Sequence, residues 1–104
     1  LNDKAIRAIA VAEVEKIKER AKEGNVVINV SENVYDKIIK DGYSKEYGGR
    51  NIAKVAEDLL SDKLVDLVLF GELKSGGTVN IDVLDDELLF NVAKKKEKSK
   101  VKIA

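Results

Sequence analysis

The sequence predicts an α+β domain in which a helical layer of about four helices packs with a small three-stranded sheet. Three features indicate this class: apolar residues recur at helical spacing over several segments, a β-branched run lies early, and two segments with strand patterning lie late. An early strand and a late hairpin can share one sheet, with the helices on one of its faces. The length of 104 residues and the hydrophobic content of 44% suit one domain with one core.

The first helix is predicted from Asp3 to about Lys22. Its apolar residues recur three and four positions apart and form one stripe, while the charged residues largely lie off that stripe. Asn2 or Asp3 can cap the start of the helix. Gly24 is expected to end it in the left-handed conformation that glycine adopts easily.

A short strand and a second helix are predicted next. The β-branched run from Val26 to Val30 predicts the strand, and Ser31 is a typical N-cap residue. The second helix is expected from Glu32 to about Lys40. The residues that it would bury are Val34, Tyr35 and Ile38.

A third and a fourth helix are predicted on either side of Ser61-Asp62, a pair expected to break or kink the chain. The third runs from about Arg50 to Leu60 and has one apolar stripe. The fourth runs from Lys63 to Phe70 and is apolar nearly all round, so we expect it to be covered on more than one side. A central place in the core is the favoured interpretation, and a place under a partner is the alternative.

The last segments predict a hairpin and a tail. Thr78 to Leu84 alternates apolar with polar residues, Asp85-Asp86 turns the chain, and Glu87 to Val92 returns as the partner strand. From residue 94 the sequence is basic and has no core pattern, so we expect a disordered tail over 94–104 and a folded domain over 1–93.

Composition excludes several classes of function. Lys plus Arg and Asp plus Glu both number 19, so the formal net charge is zero and neither nucleic acid nor a membrane surface is an expected partner. The absence of Cys and His excludes disulfides, thiolate or His-ligated metal sites and His-based triads from this chain. No apolar run reaches the roughly 20 residues of a membrane helix and no signal peptide is visible, so a cytoplasmic location is expected. The first residue is Leu, from which we expect a piece of a longer protein.

A glycine-rich turn before the third helix is the strongest candidate site. Gly48 and Gly49 precede Arg50 at the predicted helix start. A helix start offers unpaired N–H groups and a positive dipole end, and an arginine adds a planar fork of donors suited to phosphate. The alternative is an ordinary turn followed by an ordinary surface arginine.

Four motifs carry a resemblance to a known family. They are Gly42-Tyr43, Tyr47-Gly48-Gly49-Arg50, Leu69-Phe70-Gly71-Glu72-Leu73 and Gly76-Gly77-Thr78-Val79. With them, from about Ala5 to Val92, the chain resembles the C-terminal small (lid) subdomain of the second ATPase module in Clp-type AAA+ unfoldases. That family reads Gly-Tyr-Asp, a short gap and Gly-Ala-Arg-Pro at the first two motifs. The later motifs and the lysine-rich tail are most similar to the protease-associated ClpA branch.

The resemblance implies that Arg50, Gly49 and Ile9 contact nucleotide. The family's Gly-Ala-Arg arginine is the sensor 2 residue, which reaches from the lid to the γ-phosphate of ATP, and by position that residue is Arg50. Gly49 stands in place of the family's usual Ala, which loosens the backbone before Arg50. Asn51 stands in place of the family's Pro, which removes a preset φ at the start of the helix. The family also places an aliphatic side chain of the first helix against adenine. Ile9 or Ile6 can serve there, but both suit the core equally, and a place in the core is the favoured interpretation for each.

The sequence lacks the motifs with which an ATPase acts alone. It contains no Gly-x-x-x-x-Gly-Lys-Ser/Thr loop and no strand-borne acidic pair of the Walker B kind. We therefore expect this chain not to be an enzyme by itself and not to bind nucleotide tightly. The resemblance implies ATP or ADP with Mg²⁺ in the full-length protein. Asp85, Asp86 and Glu87 are interpreted as an acidic turn, so no metal site is predicted.

The resemblance also implies the partners. The domain would pack between the subunits of a hexameric ring, against the large ATPase subdomain of its own chain and that of the neighbouring subunit. The implied function is that of a lid in an ATP-dependent unfoldase or chaperone that acts as the regulatory ATPase of a Clp protease, with a peptidase partner. The second hypothesis is a stand-alone protein-interaction domain without a nucleotide role, in which Arg50 is structural.

Overall fold

The computed structural model describes residues 2–44 and 48–93. These residues form α1 (Asp3–Lys22), β1 (Val26–Val30), α2 (Glu32–Gly42), α3 (Ile52–Phe70), β2 (Gly77–Leu84) and β3 (Glu87–Ala93). The predicted α+β class is confirmed, as is the sharing of one sheet by the early strand and the late hairpin. No helix in the described ranges is both long and apolar enough to span a membrane. The predicted tail, 94–104, lies outside the described residues.

The sheet has the order β1-β2-β3 and is mixed. β1 runs parallel to β2, and β2 runs antiparallel to β3 in an unbroken register from Thr78 opposite Ala93 to Leu84 opposite Glu87. Asp85 and Asp86 connect β2 to β3 with φ angles of 53° and 66°. Two successive residues with positive φ form the tight turn whose twist matches that of a hairpin, and Asp is among the residues that tolerate it.

The helices cover one face of the sheet and leave the other to solvent. Alternate strand residues point to the helices, while their neighbours, such as Val27 and Asn80, are exposed. The predicted burial within α2 is confirmed. The core consists of Ile6, Ala10, Val14, Ile17, Val26, Ile28, Val34, Tyr35, Ile38, Ile52, Ala56, Leu60, Leu64, Leu73, Val79 and Ile81.

The prediction of two helices between residues 50 and 70 is wrong, because α3 is a single helix. Ser61 lies inside it and its hydroxyl hydrogen-bonds to Glu57 Oε1 at 2.9 Å, one turn earlier. Leu60 and Leu64, on either side of the predicted break, continue one buried stripe. The weak local preference of Ser and Asp for non-helical structure is therefore overridden by packing.

The C-terminal half of α3 is not central to the core. Leu64 is buried, but Val65, Val68 and Leu69 are 51%, 38% and 56% exposed, and Phe70 is 80% exposed. The favoured expectation for this segment is thus wrong, because α3 packs on α1 and α2 and is covered on only one side. An exposed apolar surface of this kind is typical of a surface that a partner covers.

The end of α1 also differs from the expectation. The cap residue Glu23 is right-handed, and the left-handed residue is Asn25 (φ 64°) instead of Gly24. Gly76 (φ 86°) comes so close to this turn that a Cβ there would lie 2.8 Å from the Asn25 carbonyl oxygen. The same oxygen accepts a hydrogen bond from the Gly77 N–H at 3.0 Å. Asn25 therefore ends α1 and anchors the entry into β2.

The two predicted N-caps behave differently. Asn2, and not Asp3, caps α1, since its Oδ1 accepts from the Ala5 N–H at 2.8 Å. Ser31 stands at the N-cap position of α2 but makes no side-chain cap. Its hydroxyl instead hydrogen-bonds to Asp82 Oδ1 at 2.7 Å, which ties the start of α2 to β2.

Candidate functional site

The turn before α3 is held at its base by the packing of two helix ends. Gly42, the last residue of α2, is buried against the start of α3, and a Cβ there would lie 3.0 Å from the Ile52 Cα. Any larger residue would push the two helix ends apart. The ends of the connecting segment, 43–51, are therefore fixed in space, although residues 45–47, including Tyr47 of the family motif, lie outside the described residues.

The connecting segment closes on itself before it enters α3. Ser44 and Gly48 form an isolated antiparallel bridge, with the Gly48 N–H donating to the Ser44 carbonyl at 2.7 Å and the Ser44 N–H returning a bond at 3.2 Å. Gly48 has a φ of 60°, a conformation that glycine adopts without steric cost. The bridge directs the chain into the Gly49-Arg50 turn.

Arg50 lies on a tight turn that leads directly into α3. The Ile52 N–H donates to the Gly49 carbonyl at 3.1 Å, and Asn51 has φ −87° and ψ −4°, which are the values of the third residue of a type I turn. Proline is disfavoured at this turn position, because it would force the preceding Arg50 out of the right-handed region.

The start of α3 carries uncompensated positive charge. Arg50 is exposed and its guanidinium makes no ion pair or hydrogen bond with any part of the chain that the structure describes. The first turn of α3 holds no acidic residue, and the Asn51 side chain does not cap the helix. Within the described ranges the N–H groups of Ala53 and Lys54 have no acceptor. These donors, the helix dipole and the guanidinium together suit an anion.

The three predicted nucleotide contacts lie in two places. Gly49 and Arg50 share the turn before α3, whereas Ile9 lies on α1. Ile6 is only 5% exposed and belongs to the core, while Ile9 is partly buried and packs at the edge of the core. Of the two isoleucines left open by the sequence, only Ile9 thus retains surface for a ligand.

The acidic turn forms ion pairs with α2. Asp86 Oδ1 lies 2.9 Å from Lys40 Nζ and 3.5 Å from Lys37 Nζ. The hydrogen bond from Lys40, with the nearby charges of Lys37 and Lys40, lowers the pKa of the Asp86 carboxyl. Over the described ranges there is no cluster of three or more acidic side chains that could hold a metal ion.

A second carboxylate with a lowered pKa is Asp82. The hydroxyl of Ser31 is the main cause, followed by the N–H of Val83 at 2.8 Å and the side-chain amide of Asn33 at 3.3 Å. These donors all stabilise the ionised carboxylate. The contacts hold β2 against the start of α2.

An apolar groove between α1 and α3 is a further surface feature, and sequence reasoning did not identify it as a site. Its volume is about 490 Å³. The ion pair between Arg20 and Glu57 lies at its rim. The signal in the sequence was the nearly all-round apolar character of the segment from residue 63 to 70. Its apolar lining is Ile17, Ala21, Val26, Leu64, Val65, Val68 and Leu69.

A match to a protein family and the similarity to individual proteins identify the same kind of domain. Residues 1–81 match the family described as the C-terminal, D2-small domain, of ClpB protein. The chain is 29% identical over 91 residues to the chaperone protein ClpB of Prochlorococcus marinus, covering 88% of this chain and 10% of that protein. It is 29% identical over 100 residues to the ATP-dependent Clp protease ATP-binding subunit ClpC of Staphylococcus aureus, covering 96% of this chain and 12% of that protein.

The matched length and the fold agree with the resemblance found in the sequence. The match to the family extends from residue 1 through α1, β1, α2 and α3 to residue 81 within β2. The chain spans about a tenth of the length of the curated relatives it matches. It belongs to the family of the C-terminal, D2-small domain, of ClpB protein, and is thus a C-terminal small domain of the ClpB- and ClpC-type AAA+ chaperone ATPases.

Proposed function

We propose that this domain is the lid of an ATP-dependent protein unfoldase and that Arg50 is its sensor 2 residue. The observation that carries the proposal is the exposed Arg50 guanidinium, without a partner in the described structure, at an uncapped helix start. A structural arginine would be expected to pair with a carboxylate, as Arg20 does with Glu57. The lid would comprise residues 1–93, followed by the basic tail.

The turn geometry supports a sensing role because it holds Arg50 at the end of a rigid element. α3 is a single helix whose buried stripe anchors it in the core, so displacement of Arg50 would be transmitted to the whole domain. ATP presents a γ-phosphate that ADP lacks. An arginine that contacts this phosphate would stabilise one lid position with ATP and release it with ADP.

The residues present fit the periphery of a triphosphate site. Arg50 would contribute charge to the γ-phosphate, the Gly49 backbone would allow close approach, and Ile9 would offer an apolar contact to adenine. The large ATPase subdomain, outside this chain, would hold most of the nucleotide and its Mg²⁺. ATP bound there supplies the transferable phosphoryl group, and Arg50 would stabilise the charge that develops on it.

The exposed apolar residues of α3 support a place between ring subunits. Val65, Val68, Leu69 and Phe70 lie next to the groove between α1 and α3 and are open to solvent in the isolated domain. Large apolar surfaces with a charged rim are typical of protein interfaces. We propose that the large ATPase subdomain of the same chain or of a neighbouring subunit in a hexameric ring covers this surface.

The relatives support a role in regulated proteolysis for the full-length protein. One of them carries the name of a Clp protease ATP-binding subunit and another that of a chaperone. We propose that the full-length protein is a cytoplasmic regulatory ATPase with a peptidase partner, as in the ClpA branch. The alternative is a stand-alone interaction domain, to which the same apolar surface would also be suited.

The first test is the substitution Arg50→Ala in the full-length ring. Loss of a charge-assisted hydrogen bond of about 1.5–3 kcal/mol should reduce steady-state ATP turnover by roughly ten- to a hundredfold. Arg50→Lys should restore only part of the loss, because an ammonium lacks the planar fork. The matched control is Lys54→Ala, which removes a positive charge from the first turn of the same helix but one that pairs with Asp58 at 3.0 Å.

Two outcomes would contradict the proposal. Unchanged turnover in the Arg50→Ala ring, or an equal loss in Lys54→Ala, would show that Arg50 does not sense the phosphate. A thermal melt of the 104-residue chain with each substitution separates folding from function. Because Arg50 is exposed, we expect Arg50→Ala to leave the melting temperature of the chain unchanged.

A further inference from the structure

The hydrogen bonds of β2 show which backbone groups of the sheet point outward. The Gly77 N–H donates to the Asn25 carbonyl at 3.0 Å, and the Ile81 carbonyl accepts from the Ser31 N–H at 3.1 Å. Odd-numbered residues of β2 thus turn their backbone groups towards β1, and even-numbered residues turn theirs towards β3. Each even-numbered residue of β2 faces an odd-numbered residue of β3, so the even-numbered residues of β3 have outward N–H and C=O groups. These residues are Leu88, Phe90 and Val92.

Of the two edges of the sheet, the β1 edge is covered and the β3 edge is open. By the same alternation Val26 and Ile28 point their backbone groups away from β2, but they are only 2% and 4% exposed. Leu88, Phe90 and Val92 are all partly exposed, and within the described ranges β3 pairs only with β2. β3 also lacks the lysine, proline or bulge that commonly protects an edge strand.

The domain does not fill the space on the helix side of this edge. An opening of about 420 Å³ lies there, with an apolar lining of Leu59, Leu88 and Phe90 and charged residues at its rim. Side chains that lie directly opposite each other on neighbouring strands share a face of the sheet. A strand added to β3 would therefore place every second side chain over this opening, where an apolar side chain would be buried.

The solvent-facing side of the same edge carries an amide and carboxylates. Asn91 lies beside Asn80 on this face, and its side chain has no hydrogen-bond partner in the described structure. Neither Glu87 nor the adjoining Asp85 forms an ion pair with any residue that the structure describes. The groups that complement them on an added strand are an amide opposite Asn91 and a basic residue opposite Glu87.

We propose that β3 binds an extended segment of a partner protein as a fourth strand, antiparallel to β3. An apolar residue of the segment would lie opposite each of Leu88, Phe90 and Val92, with polar residues between them and a basic residue opposite Glu87. Backbone hydrogen bonds would supply the affinity, and the alternating side chains would supply the selectivity. The proposal uses neither Arg50 nor the groove between α1 and α3, so it is independent of the nucleotide role.

A second copy of β3 complements this edge less well than such a segment. Two antiparallel copies aligned over all seven residues have their two-fold axis at Phe90. That register sets the Asn91 amide opposite Leu89. It also sets the Glu87 carboxylate opposite Ala93. Because β3 contains no Lys or Arg, no register of two β3 strands places a basic residue opposite Glu87.

A synthetic peptide, acetyl-Ser-Val-Asn-Val-Thr-Val-Lys-amide, is the probe for this edge. Its three valines would lie on the helix side and its lysine at the acidic start of β3. So short a strand buries less than the roughly 1,000 Å² of stable complexes, so we expect a Kd between about 10 µM and 1 mM with the 104-residue chain. Amide exchange measured by NMR should show the N–H groups of Leu88, Phe90 and Val92 becoming protected. Those of Leu89 and Asn91, which already face β2, should change little.

Methylation of the peptide backbone distinguishes strand pairing from apolar contact alone. N-methylation of the fourth residue, the valine opposite Phe90, removes an N–H that would donate to β3 and should weaken binding by about tenfold or more. N-methylation of the fifth residue is the matched control, because the N–H of that residue points away from β3. It should leave the Kd within about threefold of the original value.

An exchange of charges tests the direction of the added strand. Glu87→Lys should weaken binding about three- to tenfold, because two lysines would then face each other. A peptide that ends in Glu instead of Lys should recover this loss with the Glu87→Lys chain. The matched control is Glu72→Lys, which makes the same change in the loop after α3 and should leave the Kd within about threefold. In a parallel strand the first residue of the peptide would face Glu87, so a peptide ending in Glu that gives no recovery contradicts the antiparallel direction.

Several results would overturn the proposal. They include a Kd above about 1 mM, an equal loss with both methylated peptides, and protection that appears at the groove between α1 and α3 and not at β3. Outward N–H groups of β3 that are already protected in the dilute free chain would show that the chain itself covers the edge. Protection that rises with the concentration of the free chain would assign the edge to a second copy. Circular dichroism of the Glu87→Lys chain ensures that lost binding is not a lost fold.

Discussion

Single side chains connect the hairpin to the helical layer. Asp86 forms ion pairs with Lys40 and Lys37, whereas Asp85, its neighbour in the same turn, has no partner within the described ranges. Both residues have positive φ, so they share the same backbone requirement. This pair of aspartates separates the effect of an ion pair from that of the turn conformation.

We expect the free energy of unfolding to depend on pH through Asp86. Its folded pKa lies below the ordinary value of 3.8, so its contribution is present above about pH 4 and is lost as pH falls through the folded pKa. Asp86→Asn should therefore destabilise the domain at about pH 7 and have no such effect at about pH 2. Urea unfolding at both pH values measures the difference.

Asp85→Asn is the control for this experiment. Asn tolerates positive φ at least as well as Asp, so the turn is retained in both variants. An Asp85→Asn variant that loses as much stability at neutral pH as Asp86→Asn would contradict the assignment to the ion pairs.

Among the helices, α3 has one face that packs into the core and one face that does not. Ile52, Ala56, Leu60 and Leu64 are four residues apart and all buried, whereas Leu59 is only partly buried beside them. Sequence periodicity places Leu59 and Leu60 in one stripe. The structure distinguishes them, because a rotation of about 100° per residue turns Leu59 to the edge of the covered face.

The adjacent leucines give a matched test of this orientation. Leu60→Ala removes a side chain with 0% exposure and should cost about 2–5 kcal/mol, because it leaves a cavity in the core. Leu59→Ala makes the same chemical change and should cost at least about 1 kcal/mol less. Chemical denaturation of the two variants measures both costs. Equal costs would show that the covered face of α3 is wrongly assigned.

On the scale of the whole molecule, the domain has one covered and one open apolar region. The covered region is the core under the sheet, and the open region is the C-terminal half of α3 with its adjoining groove. Phe70 is 80% exposed at the end of that helix. Because such a side chain contributes little to the stability of the core, we expect it to contribute to an interface with another domain or subunit.

We expect Phe70→Ser to weaken ring assembly of the full-length protein without unfolding the domain. Truncation of a buried aromatic anchor commonly costs about 2 kcal/mol or more at an interface, or roughly thirtyfold in the assembly constant. The stability of the 104-residue chain should change by less than about 0.5 kcal/mol. Leu84→Ser, at a 59% exposed leucine on the hairpin, is the control and should leave assembly unchanged. Normal assembly of the Phe70→Ser protein would remove this surface from the ring interface.

The features that depend on neighbouring residues could be predicted from the sequence alone. The bounds of α1 and β1 are as predicted, as is the Asp85-Asp86 turn, and the cap of α1 is Asn2, one of the two residues predicted for it. Helical and strand periodicity, capping and turn chemistry operate within a few residues, so they can be read locally. The same holds for the location of the Gly49-Arg50 turn before a helix.

Where residues far apart in the chain meet, the packing of the folded domain selects among the local preferences. Ser31 donates to Asp82 and does not cap its helix, and Ser61 continues α3 because the residues on both sides pack into one core. The place of the Arg50 turn beside the end of α2 likewise follows from the packing of Gly42 on Ile52. Contacts between segments far apart in the chain outweigh propensities that differ by less than about 1 kcal/mol per residue, and no local pattern encodes them.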